Sequence, residues 1–197
     1  MHKLITDLVS VLANTWPIVF ITTLSLITLR VIYLIKNKTK FILYEELLSL
    51  LFVIYLLVLF QIVTYQDVIS YGNNFIPFKE LTRYEIGTNL FYKNIIGNIL
   101  LFVPYGFFSS YYLKLDKKIV AFIIVSLLSI SIEGVQLLID RCFDIDDILL
   151  NIIGGMIGYF LYKGLFKITY NMSKRTIGNI LIFSIMALII FLLYMMI

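Results

Sequence analysis

Long uncharged stretches alternate with short charged ones along the whole chain. Leu8–Leu29, Leu47–Thr64, Asn94–Leu113 and Thr176–Ile197 carry no Asp, Glu, Lys or Arg, Ile119–Ile139 carries one charge, Glu133, and Ile148–Tyr162 carries none. Runs near 20 apolar residues are what a hydrocarbon layer about 30 Å thick requires of a helix. The pattern predicts an all-α, polytopic bundle of about six transmembrane helices, with Ile148–Tyr162 short and Gly-rich and Trp16-Pro17 a predicted kink in the first.

A second pattern lies inside these runs. Written as a helix, the fourth places Ser126, Ser129, Glu133, Gln136 and Asp140 at spacings of three, four, three and four, so all five share one face. The fifth places Asp147, Asn151, Gly154 and Gly158 on one face, and the third opens with Asn94 and Asn98 one turn apart, followed by Pro104 and Gly106. A charge facing lipid at mid-bilayer costs roughly 2.5–3.5 kcal/mol on the most lenient scale, so these faces are expected to meet protein or water. Gly154 and Gly158, four residues apart, are expected to admit a neighbouring backbone.

The predicted loops carry the topology signal. With the N-terminus outside, eleven of the 16 Lys and Arg residues fall on the cytoplasmic side, at Arg30, Lys36, Lys38, Lys40, Lys114, Lys117, Lys118, Lys163, Lys167, Lys174 and Arg175. Both termini are therefore expected to be extracytoplasmic. This places the ends of the third, fourth and fifth spans that bear Asn94, Asp140 and Asp147 at the outer face, where they would build a polar recess, with Glu133 about 10 Å below Asp140. Arg141, Asp144 and Asp146 belong to the same joint; Arg141 would either neutralise its acidic neighbours or hold an anionic ligand. Glu45 and Glu46 lie beside the basic inner loop and read as interfacial. The long outer segment from Tyr65 to Lys93 is rich in aromatic residues and is expected to lie along the membrane, with Gly72-Asn73-Asn74 a turn and Pro77 fixing an extended "IPF".

Composition narrows the chemistry. Of 197 residues 61% are hydrophobic and 14% charged, and the mean hydropathy is +0.98, which marks an integral membrane protein. The net charge of +4 follows from the loop bias and implies contact with anionic lipid, not with nucleic acid. With Cys142 the one cysteine and His2 the one histidine, no intramolecular disulfide and no Cys/His zinc site can be assembled. No cofactor or metal is identified from the residues.

The blocks "NIIGNILLFVPYGFF" (94–108), "IEGVQLL" (132–138) and "FDIDDILLNIIGGMIGY" (143–159), preceded by "NNFIPFKEL" (73–81), resemble the VanZ-like family of bacterial membrane proteins. The resemblance covers roughly residues 45–165, giving an N-terminal helix and basic loop (1–44), a VanZ-like membrane domain (45–165), and a basic loop with a C-terminal helix (166–197). It implies a plasma-membrane protein, and its eponym is associated with resistance to the glycopeptide teicoplanin. The polar positions it carries here are Asn94, Asn98, Glu133, Gln136, Arg141, Asp144, Asp147 and Asn151, with Pro104, Gly106, Gly154 and Gly158 serving helix packing. The expected function is an outer-leaflet recess engaging a lipid-linked cell-envelope precursor or lipid headgroup. Two rival expectations are a membrane-embedded enzyme using Glu133 and Asp147 for acid/base or metal chemistry on an anionic lipid, and a proton-coupled transporter using Glu133.

Overall fold

The structure is a computed structural model that describes residues 2–38, 41–64, 72–79, 82, 84–85, 87–139, 141–169 and 176. Among them the chain is helical, with one isolated parallel bridge between Asn74 and Asp144 and no strand. The elements are α1 (His2–Asn37), α2 (Leu43–Thr64), a single turn α3 (Asn89–Phe91) running through a π-helical turn (Tyr92–Ile96) into α4 (Gly97–Leu113), then α5 (Lys118–Leu138) and α6 (Ile145–Thr169). Five helices among the described residues are long and apolar enough to cross a membrane. The sixth expected span lies outside the described residues beyond Thr176, as does Asp140.

The chain divides into two compact units, Leu59–Phe166 and a second built from His2–Val58 and Lys167–Ile197. In the second, α1 is continuous through Pro17, and large apolar side chains such as Trp16, Phe20 and Leu29 are exposed. Arg30, expected in the basic loop, lies within α1 and makes a two-pronged ion pair with Glu46 of α2, Nε to Oε2 at 2.8 Å and Nη2 to Oε1 at 2.9 Å.

The unit Leu59–Phe166 holds the expected polar faces. Glycine determines how its helices meet: a Cβ on Gly154 would overlap the Ile99 carbonyl of α4, one on Gly158 the Val103 carbonyl, and one on Gly106 the backbone of Gly155. The backbones of α4 and α6 are therefore in direct contact along one seam, as small residues at four-residue spacing allow. Gly155, on the adjoining face, receives the side chain of Val125 from α5. Pro104 stands inside α4 next to this seam.

Burial on α5 follows the expected stripe. Ala121, Val125, Ser129, Ile132, Glu133 and Gln136 are buried, while Ile123, Leu127 and Ile130 on the opposite side are exposed. At the far end of the bundle Lys114 takes the left-handed conformation that ends α4, and Leu115, Ala121 and Tyr159 close a small core. There Tyr159 donates to the Asp116 carbonyl, and Lys163 pairs with the Asp116 carboxylate at 3.0 Å. The fifth apolar run is longer than its uncharged core: α6 takes in Asp146 and Asp147 at one end and Lys163 at the other, so the helix gains a full crossing length from residues that charge alone would have excluded.

Candidate functional site

The site is assembled where α5 turns into α6. Asp144 precedes the first residue of α6, and its Oδ1 accepts the Asp146 N–H at 2.8 Å, the bond an N-capping aspartate makes to an otherwise unpaired helical donor. Asp146 and Asp147 follow in the first turn, where the helix dipole favours negative charge. Three aspartates in four residues are thus accommodated by one helix N-terminus.

Glu133 holds this turn from below. Its side chain is 1% exposed, and its Oε2 accepts the Asp144 N–H at 2.8 Å, so the connection folds back into the bundle by more than a helical turn. The Arg141 N–H is bonded to the Gln136 carbonyl at 2.9 Å on the way. The Arg141 guanidinium stands in the field of Glu133 and Asp147; burial pushes its pKa below the ordinary value, and those two carboxylates oppose the shift.

A segment seventy residues upstream closes over the joint. The Asn74 N–H donates to the Phe143 carbonyl at 2.8 Å, and the Asn74 carbonyl accepts the Ile145 N–H at 3.1 Å. Its buried side-chain amide donates to Asp144 Oδ1 at 2.9 Å and to Asp146 Oδ2 at 3.5 Å. Phe143 N–H is bonded to the Asn73 side chain at 2.9 Å, and Phe75 stacks on the Phe143 ring with centroids 5.1 Å apart. The expected extended "IPF" is instead a turn: Lys79 N–H reaches the Ile76 carbonyl, Pro77 follows Ile76, and Phe78 has φ +69°. A bulky residue rarely adopts that conformation. Here it aims the Phe78 N–H at Asp146 Oδ1, 2.5 Å away, so that both oxygens of the buried Asp146 are engaged.

Beside this strap lies a polar recess lined by Tyr84, Asn94, Ile95, Asp144, Asp146, Asp147 and Leu150. Asn94 belongs to the π-helical turn, an insertion that re-aims side chains and recurs at functional sites. Asn98, one turn on, donates its amide to Asp147 Oδ1 and so fixes that carboxylate between α4 and α6.

The expected residues therefore separate by position. Asn94, Asp144 and Asp147 line the recess, Asn98 orients Asp147, and Glu133 stands behind Asp144. Asn151 is drawn away from the recess: its amide donates to Ser129 Oγ at 3.1 Å in the buried α5–α6 contact, and the Gln136 side chain is buried in the same helix face. Asn74, Tyr84 and the Phe78 N–H were not among the expected positions, Asp146 was expected only as an acidic neighbour of Arg141, and Gly155 was missed beside Gly154. Among the described residues no three His, Cys, Asp or Glu side chains are disposed to hold a metal ion.

Residues 47–169, well over half of the chain, match the family described as VanZ/LLP1. The chain belongs to the VanZ-like family. Protein VanZ from Enterococcus faecium is 28% identical over 105 residues, which cover 52% of this chain and 63% of that relative, so the chain spans less than two thirds of the relative's length. No solved structure matches. The VanZ-like match runs from α2 to the end of α6 and contains the strap, the π-helical turn, the glycine seam and the recess.

Proposed function

We propose that this VanZ-like chain is a multi-pass protein of the bacterial plasma membrane whose recess opens at the outer face, engages a headgroup of a cell-envelope component, and lowers susceptibility to glycopeptides such as teicoplanin. The outer placement rests on the bias of basic residues toward the opposite loops. The observation that supports a binding role is the state of the three aspartates around one recess. Both oxygens of Asp146 are taken by the strap, and Asp144 caps α6 and receives Asn74, whereas Asp147 lines the recess with one oxygen tied to Asn98. Asp147 is the ligand-facing carboxylate of this reading; Asp144 and Asp146 shape the wall.

A wall of carboxylates with Asn94 and Tyr84 favours a group that presents positive charge or N–H and O–H donors, and disfavours a bare phosphate. Arg141, amid Glu133 and Asp147, serves in this reading to offset their charge. The ligand class is thus an amine-, amide- or hydroxyl-bearing headgroup, on a lipid or a lipid-linked precursor.

The test compares a glycopeptide-susceptible host with and without the gene, measuring teicoplanin susceptibility together with envelope lipids and lipid-linked precursors. The proposal expects a higher inhibitory concentration and a change in one of those pools. Unchanged susceptibility and unchanged pools at confirmed expression would overturn it.

A further inference from the structure

The strap over the recess turns its large apolar side chains outward. Phe75, Ile76 and Phe78 are 64, 62 and 63% exposed, although Phe75 keeps one face on Phe143. They cannot fold under the loop, because the backbone is held on both sides of them: Asn74 is bonded to Phe143 and Ile145, Ile76 N–H to Asn74 Oδ1 at 3.2 Å, and Phe78 N–H to Asp146. The left-handed Phe78 is a conformation that persists only where surrounding contacts over-determine it. Leu138, 84% exposed, and the exposed Ile139 at the end of α5 add to the apolar surface of the same joint, and Lys79 beside the tip is exposed as well.

The location selects what covers these groups. Residues 139–144 connect two helices long enough to cross a bilayer, so their joint lies at a membrane face, and the strap is hydrogen-bonded to that joint. Aromatic and aliphatic side chains beside a lysine match the composition of the headgroup boundary, where apolar bodies enter the acyl region and the ammonium meets phosphate. We infer that the Phe75–Phe78 tip is a lipid anchor, seated in the boundary between headgroups and acyl chains, and that it holds the recess at headgroup depth. The inference rests on the reading that α5 and α6 cross the membrane; it does not depend on which headgroup the recess takes.

The test uses the full chain in phosphatidylcholine–phosphatidylglycerol nanodiscs with Trp16→Phe, which removes the one tryptophan, carrying Phe75→Trp, Ile76→Trp or, as a reference on the exposed middle of α5, Leu127→Trp. Lipids brominated near the ester end of the acyl chain should quench both strap tryptophans about twofold more than lipids brominated near the chain end, with little quenching by aqueous iodide. The Leu127→Trp reference should show the opposite depth order. Iodide quenching of the strap without lipid quenching would overturn the anchor, and quenching by neither reagent would do so too, since protein would then cover the tip. A strap that stays wet while Leu127→Trp is quenched by lipid refutes the anchor alone, whereas a lipid-silent Leu127→Trp refutes the crossing of α5 and the anchor with it.

Discussion

The backbone N–H of Asp144 donates to the carboxylate of Glu133 over 2.8 Å, and this bond draws the α5–α6 connection down into the bundle. Glu133→Gln retains an acceptor there, while Glu133→Ala leaves a part-buried donor without its partner, at a cost of about 1–3 kcal/mol. Thermal unfolding in detergent is expected to show a clear loss for the alanine variant and little for the glutamine variant. Equal losses would mean that charge, not acceptance of the Asp144 N–H, is what Glu133 contributes to the fold.

Asn74 is expected to be the residue that seats the strap. Its amide donates to two carboxylates, so Asn74→Asp places a third acceptor against Asp144 and Asp146, while Asn74→Ala only removes the donor. The aspartate variant should loosen the strap more than the alanine variant, read as faster amide exchange at Phe78, whose N–H is bonded to Asp146. The opposite order would indicate that the strap is held by its backbone bonds and ring contact alone.

The glycine seam predicts a sharp contrast between positions. Gly154→Ala and Gly158→Ala drive a Cβ into the carbonyls of Ile99 and Val103, which are backbone atoms and cannot rotate aside, so each is expected to destabilise by about 1–3 kcal/mol. Gly134→Ala and Gly164→Ala meet no atom within 4 Å and gain helix propensity, so they should be neutral or slightly stabilising. Unfolding midpoints of the four variants, measured in one detergent, provide the check.

Sidedness has its own test. A membrane-impermeant thiol reagent should label Cys142 in intact cells, and a cysteine introduced as Lys117→Cys in a Cys142→Ser background should resist it. Labelling of the second site and protection of the first would turn the recess to the cytoplasm and remove the basis for an effect on extracellular antibiotic.

The α5 stripe was legible in the sequence because a helix converts regular spacing into one face, and a charge in an apolar run has few places to go; Ser129, Glu133 and Gln136 are buried accordingly. The glycine seam was legible for the same reason, although Gly155 was not, since its neighbour Val125 comes from another helix and leaves no periodic mark. Asp146 was read only as an acidic neighbour of Arg141, and its place in the wall of the recess left no mark in the helical spacing. Face periodicity does not govern a first helical turn, where side chains reach the loops before the helix. Asn74 could not be identified by any local rule, because its partners lie seventy residues away; the surrounding "NNFIPF" read as turn chemistry and gave no sign of what the turn is docked against. The positive φ of Phe78 belongs to the turn that the Lys79 N–H closes on the Ile76 carbonyl, with Pro77 at its second position, which the extended reading of "IPF" did not foresee.

Asp147 is expected to act through its charge at the recess. Asp147→Asn keeps the shape of the side chain and an oxygen for the Asn98 amide, and removes the charge together with the second acceptor oxygen. Teicoplanin susceptibility of cells carrying this variant, at membrane abundance matched to the unaltered protein, is the most direct measurement. Return of susceptibility to the level of cells without the gene is the result expected; full resistance would contradict a charged ligand site and leave Asp147 as a hydrogen-bonding link between α4 and α6.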